Sequence, residues 1–447
     1  LSRITGRFLH GPIMGHVVRM TLTGALGVGF MFLIDAANLF WISTLGVERL
    51  VAALGFAWMI QFFAVSIGIG MMVAATATVS RLIGQHDIAG ARRQTSVNAA
   101  IAVLAQAVVA AGIFVFRHEL LALAGASGDT AREAARYLAI AVPTLPVMAL
   151  GMMGSAVLRA EGDAWRAMSV TLTSGLVTMI IDPLLIVVLG LGLEGAAISV
   201  IFARFFSAGL SVWYVLRVHD LAGRIGWRDV ALRARPFGVI AIPAMLTQLS
   251  TPFGNALVTG LMAQYGDGAV AGWAVVTRMT VLAFGGIFAL SSAISGIFGQ
   301  NYGGGALERV RLTYVDALRF SAIYISLAWA FLALASAPAI AVFSMGDEAA
   351  QVLRAFTMVA AGGWFFAGGL FVANAAFNAL GRPVFSTMFN WLRDGVLLWP
   401  LAAVLGARFG APGVVYGQAL AAVVAGSLAV AAGWRHVTRL QRWQDRG

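Results

Sequence analysis

Two aspartates stand inside long apolar runs of this chain, Asp35 in "MFLIDAANLFW" (31–41) and Asp182 in "TMIIDPLL" (178–185). An ionised carboxylate at the centre of a bilayer-spanning helix costs roughly 2.5–3.5 kcal/mol. Such a residue is retained where it faces a cavity, pairs with a neighbour, or holds and releases a proton or cation. Reversible cation exchange is therefore the chemistry on offer. Asn38 lies one turn after Asp35 on the same helical face. Pro183 removes a backbone donor and displaces the carbonyl of Met179, four residues back, leaving an acceptor beside a carboxylate. Thr178, one turn before Asp182, adds a hydroxyl, whose alternative is a bond to its own helix.

The elements that position these residues must be membrane helices. The chain has 447 residues, 60% hydrophobic and only 11% charged, too few charges to cover a soluble protein of this size. Apolar runs long enough to cross a hydrocarbon core of about 30 Å recur throughout. Polar punctuation divides them into twelve predicted helices, at 17–42, 51–79, 95–116, 134–158, 167–190, 194–217, 236–263, 268–298, 314–337, 350–379, 384–406 and 411–434. The ten-residue alternation of barrel strands is absent. The fold class is all-α and polytopic.

Composition also excludes activities. The net charge of +11 resides in arginines between the spans, the pattern of membrane orientation rather than of nucleic-acid binding. With no lysine there is no phosphate-loop Gly-Lys and no Schiff base. With no cysteine there is no disulfide or thiolate metal site. The histidines fall outside the deep spans, and no nucleophile–base pair is recognisable. The protein is expected not to be an enzyme and to need no cofactor.

Arginines cluster in alternate connections, from Arg3, Arg7 and Arg19 to Arg435, Arg439, Arg442 and Arg446. By the positive-inside rule both termini are cytoplasmic, and the N-terminus reads as a retained segment. The basic stretch 218–235 is then a cytoplasmic linker between an N-terminal lobe, 1–217, and a C-terminal lobe, 236–447. The lobes repeat. "SRLIGQHDIAGARRQ" (80–94) answers "SGIFGQNYGGGALERVR" (295–311), and "AVLRAEGDAWRAMS" (156–169) answers "AAFNALGRPVFSTM" (375–388). "IDPLLIVVLGLGLEGAA" (181–197) answers "WPLAAVLGARFGAPGVV" (399–415). Six spans per half make the repeats parallel and related by a pseudo-twofold axis along the membrane normal, an arrangement of alternating-access transporters.

The aspartate followed by "STLG" (43–46), the paired "GQ" loops, "LRAEGD" (158–163) and "DPLLIVVLGLGLEGAA" together resemble the multidrug and toxic compound extrusion (MATE) family over nearly the whole chain. The resemblance implies two six-helix lobes arranged as a V, and a cation-coupled antiporter that expels cationic amphipathic compounds from the bacterial cytoplasmic membrane. It implies a cation site at Asp35 and Asp182. Thr178 stands where the family often has asparagine, and Val200, beside Ser199, where threonine is common. These departures favour proton over sodium as the coupling ion. In the second lobe the repeat places Asn255 at the position of Asp35 and Trp399 at that of Asp182, an asymmetry that points to the DinF-like branch. Arg278 either lines the cavity or extends to the interface, and the adjacent Arg393 and Asp394 are expected to neutralise one another. A monomer is expected, with the bilayer and small molecules as partners. The rival reading within the same superfamily is a flippase for lipid-linked oligosaccharides.

Overall fold

The computed structural model describes residues 6–43, 45 and 47–444. The side chains of Phe32, Asp35, Ala36, Leu39, Ser43, Glu48, Trp443 and Gln444 lie outside that description, as do Thr44 and Gly46 of "STLG". The described chain is helical almost throughout. In order the helices are α1 (Ile13–Ser43), α2 (Glu48–Gly84), α3 (Ile88–Val115), the short α4 (Arg117–Leu123), α5 (Gly128–Ala141), α6 (Leu145–Glu161), α7 (Ala164–Asp182) and α8 (Gly192–Trp213). Then follow α9 (Trp227–Ala263), α10 (Asp267–Gly303), α11 (Leu307–Val342), α12 (Asp347–Met358), α13 (Trp364–Ala379), α14 (Pro383–Trp391), α15 (Leu398–Phe409) and α16 (Ala411–Gln444).

Among the described residues, 11 helical segments are long and apolar enough to cross a membrane. The twelfth expected span, 384–406, is helical too. It is broken by a wide turn at Leu392–Leu397 that carries Arg393 and Asp394, which lowers its apolar character.

The first unit's motifs end one helix and start the next. In "LRAEGD", Gly162 adopts a left-handed conformation (φ 93°) that closes α6. Asp163 then accepts from the Arg166 amide at 3.2 Å and caps α7. Asp87 of the first "GQ" loop caps α3 through the Gly90 amide, 2.8 Å away. Among the described residues, three wide turns interrupt or end helices, at Pro183–Val188, Tyr214–Val218 and Leu392–Leu397. Each is closed by an amide reaching five residues back: Leu189 to Leu184, His219 to Tyr214 and Leu398 to Arg393.

The chain forms two compact units. The first comprises residues 1–7 and 26–245, the second 8–25 and 246–447. These units do not divide where the basic linker does, because α1 and α9 each contribute to both. The linker itself is only half irregular. Helix α9 begins at Trp227, and the preceding residues pack on α3, where Ser96 donates to the Gly223 carbonyl at 2.7 Å and Arg92 pairs with Asp220. Arginine-rich sequence favours the aqueous side of a membrane without opposing helix formation, which is why charge alone placed the helix start too late.

Small residues dominate the first unit's core: Ala64, Ala110, Ala134, Ala141, Ala196 and Ala197 are buried in one cluster. This allows close helix approach where apolar burial gives no advantage over lipid. Gly70 is the clearest case, since a Cβ there would lie 2.5 Å from the Met245 amide nitrogen.

Candidate cation-exchange site

Asp182 is the last residue of α7 before the wide turn that starts at Pro183, and it is completely buried. Asn38 on α1 donates through Nδ2 to Asp182 Oδ2 at 2.9 Å. The span that carried Asp35 in the sequence is thereby tied to the helix that carries Asp182. Asp35 itself lies on α1 one turn before Asn38, with its side chain outside the described residues. Ser199 on α8, also fully buried, stands beside the Asp182 carboxylate. Neither Ser199 Oγ nor Asp182 Oδ1 meets a hydrogen-bond partner among the described residues. The carboxylate is thus met by an amide and flanked by a hydroxyl, both neutral.

Thr178 is buried but turned to its own helix, donating to the Ser174 carbonyl at 3.1 Å. Asn255 and Arg278 belong to the second unit, on α9 and α10, and both are exposed. The Asn255 backbone carbonyl accepts from Thr259 at 2.9 Å. A metal centre built from three or more histidines, cysteines or carboxylates is absent among the described residues.

Two further clusters were not assembled by sequence reasoning. The first surrounds Arg204 on α8. Its guanidinium donates to the Ala141 carbonyl at 2.6 Å, to Thr144 Oγ1 at 2.8 Å and to Gln61 Oε1 at 2.8 Å. Leu145 bonds back to Val142 rather than to Ala141, so the chain tightens there and frees the Ala141 carbonyl for Arg204. The charge was visible in the sequence, its partners were not. The second is Asp163, which accepts from Arg166 and lies 3.2 Å from His219 Nε2. Burial alone would raise the Asp163 pKa, but the His219 and Arg166 hydrogen bonds outweigh it and hold the carboxyl well below its usual range. In the sequence it stood only as part of the "LRAEGD" motif.

In the second unit Arg393 and Asp394 do neutralise one another, through two contacts of 2.7 Å, from Nε to Oδ1 and from Nη2 to Oδ2. They lie inside the unit and not at an edge: Asp394 is 7% exposed and packs against Gly254 of α9.

A polytopic bundle with a duplicated helical pattern, and a carboxylate in a membrane span whose described polar neighbours are neutral, defines a transporter rather than a catalyst. A family model described as MatE matches residues 25–184 and again 243–404, and the chain belongs to that family. It is 27% identical over 402 residues to the FAD transporter of Shewanella oneidensis, covering 89% of each protein. It is 21% identical over 429 residues to the Multidrug export protein MepA of Staphylococcus aureus, covering 93% of this chain and 92% of that one. The fold is shared with the Vibrio cholerae MATE transporter VcmN, solved as an aspartate-to-asparagine variant: TM-score 0.90, 24% identity, 96% of this chain and 97% of that one. A MOP superfamily transporter from Pyrococcus furiosus superposes with TM-score 0.89 at 20% identity, covering 98% of each chain.

Proposed function

We propose that this transporter is a proton-coupled antiporter that exports cationic amphipathic compounds by alternating access, with Asp182 and Asp35 as its exchange site. The observation that carries the proposal is the setting of Asp182, fully buried and hydrogen-bonded by the neutral Asn38. A carboxylate without a fixed counter-charge has its charge balanced by whatever mobile cation reaches it, so a proton and a cationic substrate compete for it. Exchange of one proton for one monovalent cation moves no net charge, so the pH difference drives it, each pH unit supporting about a tenfold substrate gradient, worth about 1.4 kcal/mol. Thr178 and Val200 depart from the asparagine and threonine common at these positions, which favours the proton over sodium.

The test is efflux from proteoliposomes with a proton gradient and a sodium gradient imposed separately, using a cationic dye as cargo. Dye movement driven by the proton gradient alone supports the proposal, and movement driven by neither gradient defeats it. FAD belongs in the same assay as a second cargo. The Shewanella relative named for FAD favours an anionic dinucleotide as the alternative cargo, and FAD movement without dye movement would establish that reading.

The proposal includes the bacterial inner membrane as location, both termini cytoplasmic, a monomer, and membership of the DinF-like branch. It takes 218–235 as a cytoplasmic linker joining lobes 1–217 and 236–447. Reporter fusions within 218–235 and after Trp434 should read as cytoplasmic, and one near Asp347 as external.

A further inference from the structure

Where α13 ends and α14 begins, the second unit holds a groove of about 570 Å³. Its floor is Phe377 and Phe385. Its walls are Arg382, from the turn between the two helices, and Arg435, His436 and Arg439 from the end of α16. The three arginines are exposed. None has a carboxylate in ion-pair reach among the described residues, and none of the lining residues is acidic. Arg435 and Arg439 are one turn apart on the same face of α16, a repulsive arrangement for like charges. Arg382 lies over the Phe385 ring, 5.9 Å from its centre, and His436 Nε2 is 3.4 Å from the Leu380 carbonyl.

One side of the groove is apolar and open. Val384 is 66% exposed and Met388 is 47% exposed; they lie one turn apart on the same face of α14, and Val384 is next in sequence to Phe385 of the groove. The apolar span of α16 runs to Arg442, so the arginines sit in its last turns, at a membrane edge. Guanidinium forks match phosphate oxygens in geometry and charge, and basic pockets between membrane helices at that level suit lipid phosphates.

We propose that this groove binds an anionic phospholipid, its phosphate held by Arg382, Arg435 and Arg439 and an acyl chain lying along Val384 and Met388. Charge complementarity selects an anion, and the adjoining apolar residues select one with a hydrocarbon tail. The site is independent of Asp182 and of the direction of transport.

The test uses the full chain in detergent. Thermal stability and co-purified lipid are measured with phosphatidylglycerol, phosphatidylcholine or inorganic phosphate added. Phosphatidylglycerol should stabilise the protein and be retained, and 0.5 M salt should weaken the effect, since salt screens exposed charges. At about fivefold per guanidinium at a membrane surface, the double variant Arg435→Gln/Arg439→Gln should need roughly 25-fold more phosphatidylglycerol for half its effect. Arg435→Lys/Arg439→Lys should keep most of the effect. Arg228→Gln, a control elsewhere, should match the wild type. The proposal is overturned if phosphatidylcholine does as well, if inorganic phosphate alone protects equally, or if the double glutamine variant retains lipid like the wild type.

Discussion

Each unit has a helix that widens at an aspartate, and the two aspartates have opposite company. Asp182 immediately precedes the wide turn of the first unit and is held by Asn38. Asp394 lies within the wide turn of the second and is gripped at both oxygens by its neighbour Arg393. The turns also differ in depth. Helix α7 runs 19 residues before widening and α14 only nine, a difference of about 15 Å at 1.5 Å per residue. Both units thus carry a local widening that makes room beside a carboxylate, at different positions and with different counter-charges. A carboxylate with a fixed counter-charge is neutralised once and for all. One with neutral neighbours stays responsive to what arrives.

The largest effect expected from this contrast is at Asp182. Asp182→Asn should leave a folded protein whose gradient-driven efflux falls to background, because the amide imitates a protonated carboxyl and releases nothing. Normal efflux by a well-expressed variant would break the comparison at its more important end. The next largest is in the second unit. Arg393→Gln strands a buried carboxylate and should destabilise by about 3–5 kcal/mol, whereas Arg393→Leu/Asp394→Leu should recover most of that loss and still transport. Failure of the folded double variant to transport would show that the locked pair is not a spectator.

Asp163 extends the contrast within the first unit, as a carboxylate held like Asp394 but outside the spans. Asp163→Asn should cost about 1.5–3 kcal/mol near neutral pH, the worth of hydrogen bonds to a charged group. The sign follows from its depressed pKa. The contribution is complete above the unfolded value of about 4 and fades as the pH falls below it towards the folded value. Thermal melts of wild type and variant should therefore differ at neutral pH and converge in strong acid, and a constant difference at every pH would refute the linkage. The smallest effect should be at Thr178, where Thr178→Ala removes only a bond to Ser174. Transport should stay within about twofold and stability within about 1 kcal/mol.

The spans, the repeat and the two intramembrane aspartates were legible because bilayer thickness fixes the length of apolar runs and makes any charge inside them conspicuous. The link from Asn38 to Asp182 was half legible. Each residue stood out, but their meeting depends on how α1 packs against α7. The wide turns left no comparable mark, since an extra residue per turn changes hydrogen bonding without changing hydrophobic period. Residue offset pairs Asp182 with Trp399, and Asp394 stands five residues before that position. Arg204 was visible, yet Gln61 and a single freed carbonyl have no sequence signature.

That carbonyl has a mechanical consequence. Arg204 clasps α8 to the seam between α5 and α6 and to α2 through three short contacts at one depth. Sliding α8 along its neighbours by even one residue would pull a guanidinium off all three oxygens, with no water in the bilayer core to replace them. Shear at this seam is therefore stiff, whereas the turn after Asp182, with its looser hydrogen-bond ring, is compliant. Strain applied to this half of the molecule is relieved by flexing at the wide turn and not by slippage between helices, which puts a yielding joint next to the Asp182 carboxylate.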